Sequence, residues 1–230
     1  MKSRSFIAIT ILLISLAACS ALGSKAAERK ASAKSSLKYI LPDDGGKDPS
    51  FAQFRERLIN AVKAHDRTFV EEIISPEILT AIGGGKGKDS FNQEFDNLSD
   101  KSRFWPRIER VLLHGAEFDS ESNQYHAPAL RFEDSHSEKA QAIVWNKGAK
   151  LRKSASETSL LLSTLYDEQV TIIEPAEPEP LLTEWAKVKC KSGKEAYLKT
   201  ADIYSAYDEF AFFKKSNGKW YLSWFGFAGL

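Results

Sequence analysis

The hydrophobic period changes once along this chain, and that change limits its architecture more than any other feature. Between Asp48 and Gly115 the large apolar residues recur three and four positions apart, the spacing of one helix face; from Gln141 they alternate, the spacing of a half-buried strand. Asp48 stands before Pro49, a capping side chain followed by a residue suited to the first helical turn. Phe51, Phe54, Leu58 and Val62 then share a face. Asp66 can cap a second helix carrying Phe69, Val70, Ile73 and Ile74. Ser75-Pro76-Glu77 restarts a short turn with Ile78, Leu79 and Ile82, and Gly83-Gly84-Gly85 breaks it. Asp89-Ser90 opens a further short helix with Phe91 and Phe95. Phe104, Ile108, Val111 and Leu112 form the strongest stripe, with a start near Trp105-Pro106 and Gly115 placed to end it. Residues 48–140 are thus expected as a helical unit whose stretch 116–140 is irregular.

The second half predicts short strands. Ala142 to Trp145 and Ala149 to Arg152 flank Asn146-Lys147-Gly148, and Val170 to Ile173 leads into the proline-rich run Pro175–Pro180. Trp185 to Cys190 and Glu195 to Leu198 flank Ser192-Gly193-Lys194. Strands this short and this closely spaced predict a small barrel over 141–203. In the last segment, 204–230, Asn217-Gly218 separates two β-rich runs, a strong two-residue hairpin signal.

The run Val144, Leu151-Arg152, Leu165, Val170, Trp185-Ala186-Lys187-Val188, Gly193 and Tyr197-Leu198 resembles the bacterial SH3-like (SH3b) domain. Glu195-Ala196 stands where that family usually has a glycine before the aromatic, and the Pro175–Pro180 loop is long for it. The closing hairpin is similar to the tails of SH3-domain envelope proteins that also carry a helical N-terminal region. The resemblance implies an α+β fold, a small helical unit packed on an SH3-like β-barrel with an extra C-terminal β-hairpin. It also implies a binding module, with cell-wall peptide as the family's usual ligand in exported proteins.

The first residues set an address. Lys2 and Arg4 precede a nearly apolar run from Phe6 to Leu16, and Ala17-Ala18 then lead to Cys19. This is the layout of an export signal, and a run of about 11 residues falls short of the roughly 20 a spanning helix needs. Leu16-Ala17-Ala18-Cys19 resembles the bacterial lipobox. That resemblance implies cleavage after residue 18, acylation of Cys19 (palmitate among the chains) and, with Ser20 following, an outer-membrane lipoprotein facing the periplasm. A plain secretory signal leaving a periplasmic protein, an uncleaved anchor, and a lipoprotein on the outer surface are the alternatives. Residues 19–47, rich in Ala, Ser and Lys, read as a flexible tether.

Composition narrows the partners. The formal net charge is +1, and loss of Lys2 and Arg4 takes it two lower, to −1. That balance argues against nucleic acid, which needs a basic surface. With Cys19 acylated, Cys190 is the sole thiol, so no internal disulfide is expected.

No catalytic constellation stands out, and neither a cofactor nor a metal is expected. Gly83 to Asp89 lacks the spacing of a phosphate loop and follows a helix, so it reads as a surface loop. His126, Glu133, Asp134 and His136 match no metal-ligand spacing. Cys190 shares a strand face with Ala186 and Val188, as a buried thiol would. The aromatics Trp145, Trp185, Tyr197, Tyr204 and Tyr207 can line a ligand groove or fill the core. Nearby, Glu184, Glu195 and Asp202 can pair with cationic groups of a peptide. The reading is a non-enzymatic, lipid-anchored binding or scaffolding protein whose partner is peptidoglycan or an envelope protein. The alternatives are an enzyme or enzyme accessory built on His126, Asp134 and His136, and a purely structural lipoprotein.

Overall fold

The Asp48 carboxylate accepts hydrogen bonds from the Ser50 and Phe51 amides at 2.7 and 3.3 Å. It satisfies donors that a helix start leaves unpaired, and so fixes the beginning of α1 (Pro49–Lys63). Asp66 does the same for the Phe69 amide at 3.0 Å and begins α2 (Arg67–Ile73). The chain then becomes β1 (Ile74–Leu79), followed by α3 (Lys88–Glu94) and α4 (Phe104–Leu112). Gly115, at φ +76°, turns the chain out of α4 into β2 (Glu117–Asp119) and β3 (Gln124–Ala127). The strands β4 (Gln141–Val144), β5 (Ala149–Arg152), β6 (Leu161–Leu165), β7 (Gln169–Glu174), β8 (Trp185–Cys190), β9 (Glu195–Lys199) and β10 (Ile203–Ser205) follow. The closing hairpin is β11 (Glu209–Ser216) and β12 (Lys219–Phe227). This computed structural model describes residues 39–80, 84–132, 140–174 and 183–227, all in the unit Lys38–Leu230. The lipobox with Cys19, the residues Glu133, Asp134 and His136, and the Pro175–Pro180 loop lie outside the described residues.

The strands form two sheets. The first runs β1-β12-β11-β3-β2, with β1 parallel to β12 and the rest antiparallel. The second is antiparallel throughout, in the order β10-β4-β7-β8-β9-β5-β6.

The helices bury their apolar faces on the first sheet. Phe51 of α1 stacks on Tyr125 of β3 at 3.8 Å and meets Trp220 of β12 edge-on at 5.0 Å. Phe104 of α4 meets Phe225 of β12 at 5.3 Å. Each fully buried side chain of this size contributes about 1.5–3 kcal/mol relative to exposure, so the hairpin is a large part of what holds the helices. A second core fills the other sheet from Val144, Leu151, Val170, Val188 and Leu198. A third cluster, Tyr39, Leu130, Ile143, Tyr204 and Phe210, joins residues of both sheets.

Two expectations are overturned. The architecture is mostly β, mainly a β-sandwich of two open sheets with four helices among the described residues, and no SH3-like barrel closes over 141–203. A barrel requires its end strands to pair, whereas β10 and β6 end the second sheet at opposite edges. Nor is there a separate helical unit with an extra hairpin. Strands β1, β2 and β3 belong to the helical region, and β11 and β12 are the centre and near-centre of the sheet that its helices cover.

Candidate functional site

The structure divides the five aromatics between two places. Tyr204, on β10, is fully buried, and its hydroxyl donates to the Glu209 carbonyl. Its ring lies 4.6 Å from that of half-buried Trp145, whose indole N–H donates to the Ala201 carbonyl at 2.9 Å. The Arg110 guanidinium of α4 sits 4.9 Å over Trp145 and 5.0 Å over Tyr204. It donates to the Ile203 carbonyl at 2.8 Å and to Asp208 Oδ2 at 3.1 Å. His114 stacks on the indole at 3.2 Å.

Asp208 and Glu209 are only 2% and 5% exposed. Burial pushes both carboxyls above their usual range, against the pull of Arg110 on Asp208 and of Arg107 on Glu209. Arg107 Nη1 lies 2.6 Å from Glu209 Oε1, as an ion pair rather than an aligned hydrogen bond. Burial also holds the Tyr204 hydroxyl well above, and the His114 imidazole below, their ordinary values. This junction ties α4 to both sheets and leaves no groove at Tyr204. Tyr207 is half-buried beside it, its amide bonded to Ser205 Oγ at 3.1 Å.

Trp185 and Tyr197 stand elsewhere, on the outward face of β8 and β9. The inward positions of these strands are Ala186, Val188, Ala196 and Leu198, all buried. Alternation therefore sends Trp185, Lys187, Tyr197 and Lys199 the other way. The register sets Trp185 opposite Lys199 and Lys187 opposite Tyr197, so Trp185 and Tyr197 are diagonal neighbours whose backbones lie roughly 7–8 Å apart by strand geometry. Both are half-buried.

The cations between them are held by carboxylates. Lys187 Nζ is 3.1 Å from Glu174 and 3.8 Å from Glu195. Lys199 pairs with Glu157, lies 3.8 Å from Glu184, and sits 5.6 Å over the Trp185 ring. The bond to Glu174 raises the Lys187 ammonium, and the bond to Glu157 raises that of Lys199, so both stay charged. Arg152 of β5 continues the row opposite Tyr197. The result is a face of two rings set among lysines and glutamates. It can stack on a planar or extended ligand and offer partners to both its amines and its carboxylates.

Of the residues of this face, the sequence reading named Trp185, Tyr197, Glu184 and Glu195 as ligand contacts and not Lys187, Lys199 and Arg152. The signal was present, because residues two apart along each of these strands share one face. Asp202 belongs to the junction, where it accepts from Asn146 at 2.7 Å.

The remaining candidates are apart from this face. His126, on β3, has Nε2 3.0 Å from Glu117 Oε2, with Arg131 3.6 Å from the same carboxyl group. Cys190 is 8% exposed, and burial pushes its thiol up. It borders a recess of about 220 Å³ lined also by Gln169, Thr171 and Lys189. Among the described residues no three His, Cys, Asp or Glu side chains gather as a metal site, and no helix is long and apolar enough to cross a membrane. Compared with family models, curated proteins and solved structures, the chain matches none of them.

Proposed function

We propose that this protein is a lipoprotein of the bacterial cell envelope whose folded part binds an extended ligand and catalyses no reaction. The anchor reading rests on Leu16-Ala17-Ala18-Cys19 behind its apolar run. Acyl chains on Cys19 hold the protein at the outer membrane, facing the periplasm, and several chains anchor stably where one binds marginally.

The single observation that carries the binding reading is the pairing of half-exposed Trp185 and Tyr197 on a sheet face whose lysines and glutamates alternate. Cell-wall peptide is the favoured ligand, since its stems combine an extended backbone with free amines and carboxylates. A protein partner is the alternative.

Two measurements test this. Metabolic labelling with palmitate should mark the full chain and fail on Cys19→Ala, with that variant released from the membrane fraction. Retention on purified cell wall should fall at least tenfold in Trp185→Ala/Tyr197→Ala while the melting temperature stays within a few degrees. Equal retention of both forms removes the cell-wall reading, and an unlabelled wild-type chain removes the anchor.

A further inference from the structure

The outward face of the second sheet is open at β8 and β9 and covered at β4. Gln141, Ile143, Gln169, Thr171 and Lys189 point outward with Trp185 and Lys187, because Ala142, Val144, Val170, Val188 and Cys190 between them point into the second core. Ile143 is fully buried in the third cluster with Tyr39. Where that cover stops lies the recess of about 220 Å³ beside β8. Its floor follows the register, Gln141 opposite Thr171 and Thr171 opposite Lys189. Lys191 forms its rim, joined to the Tyr39 hydroxyl and 5.0 Å over that ring.

The lining favours an anion. Gln169 is 5% exposed, and its amide donates to Gln141 Oε1 at 3.2 Å, as the Thr171 hydroxyl does at 3.5 Å. Donors therefore dominate the recess, from two carboxamides and the ammonium groups of Lys189 and Lys191. Lys189 is exposed and, among the described residues, has no ion-pair partner. Glu195, opposite it across the ladder, lies 3.8 Å from Lys187 instead. None of the described residues that line the recess is acidic.

We infer that this recess holds the C-terminal carboxylate of the peptide that lies on the Trp185–Tyr197 face, so that the protein recognises free chain ends over ends joined through an amide. The inference rests on the reading of that face as the binding site. Along β8, Trp185 and Lys189 stand four positions apart, about 13 Å, which is the span of roughly four residues of extended peptide. A peptide whose body crosses Trp185, Lys187 and Tyr197 thus brings one end to Lys189. It stops there, because Lys191 and Tyr39 close the face beyond. A carboxylate at that end accepts from the ammonium and the carboxamides, in bonds that its charge strengthens. An amide at the same place leaves Lys189 without an anion.

The test is calorimetry on the full chain in detergent micelles. The probe is a synthetic four-residue stem peptide ending in D-alanine, used as its free acid and as its C-terminal amide. The acid should bind at least tenfold tighter, and the acid alone should shift the side-chain N–H signals of Gln141 and Gln169 in nuclear magnetic resonance spectra. Lys189→Met, with near-ultraviolet circular dichroism unchanged, should bring the acid to the affinity of the amide and leave the amide's own affinity as it was. Trp185→Ala should weaken both forms alike. Equal binding of the two forms by the wild type, an acid preference that survives Lys189→Met, or one without the glutamine shifts overturns this inference and leaves the Trp185 face standing. Binding of neither form overturns it together with the cell-wall peptide reading of that face.

Discussion

Arg110→Met tests the junction most sharply. Methionine keeps much of the side-chain stem and removes the charge. Lost with it are the contact to Asp208 at 3.1 Å, the bond to the Ile203 carbonyl at 2.8 Å and the cation above Trp145 and Tyr204. Breaking a buried ion pair from one side costs about 3–5 kcal/mol, because the remaining charge is stranded. The Arg110 side chain is 30% exposed whereas Asp208 is 4%, which favours the lower end. A loss of about 3 kcal/mol corresponds to roughly 6–12 °C in a folded unit of this size.

The loss depends on pH. Burial already holds the Asp208 carboxyl above its usual range, and removing Arg110 raises it further. A carboxyl with a higher pKa folded than unfolded costs stability as pH climbs from the unfolded value through the folded one. The penalty is therefore larger at pH 7 than at pH 4. Asp208→Asn in the same chain, which keeps an acceptor for the Ser205 amide at 2.7 Å, should restore about 2 kcal/mol at pH 7 by ending the stranded charge. Urea unfolding of the wild type, the two single variants and the double variant at both pH values measures this. A loss under 1 kcal/mol, an equal loss at both pH values, or no recovery in the double variant refutes the reasoning.

Two further variants probe the fold. Asp43→Asn should cost about 1 kcal/mol, since its carboxylate accepts from Arg55 at 2.7 Å and from the Ala116 and Gly45 amides at 3.0 Å while its side chain stays half exposed. Burial acts to raise this carboxyl, but those bonds hold it below the usual range. Its contribution is thus present at neutral pH and lost as pH falls through the lowered carboxyl value, so the variant and the wild type should converge in stability in acid. Gly115→Ala should lower stability by about 1–2 kcal/mol in thermal unfolding, because φ is +76° and a Cβ would stand 3.3 Å from those of Ala129 and Asp43. A melting temperature unchanged by that substitution contradicts the account of the turn.

The first two helices were legible because each carries its own start signal. Asp48 and Asp66 cap as their positions imply, and Phe51, Phe54, Leu58 and Val62 share a buried face. β1 was not legible. Ile74 and Ile78 are four apart, a spacing common to a helix face and to every second pair of inward strand positions, and only the parallel pairing with β12 decides between them. β2 and β3 are three and four residues long, too short to show a period. The Asn217-Gly218 turn announced its hairpin, but nothing local says that β12 lies beside a strand about 145 residues earlier in the chain. The same distance effect hid the junction. Arg110 and Asp208 read as ordinary surface charges until the fold brings them together. Alternation along one strand is local and sets Trp185 and Tyr197 on one face, whereas Tyr204 does not share it, because its burial depends on residues from three separate segments.

The central claim about the folded part is that its last two strands are the floor on which its first helices pack. Native-state hydrogen exchange of the full chain measures this directly. The account predicts that the amides of Ala211–Phe213 and Leu222–Phe225 are protected as strongly as those of Leu58–Val62 in α1, and that both sets open together as denaturant is added. Rapid exchange along the hairpin while α1 stays protected would contradict it.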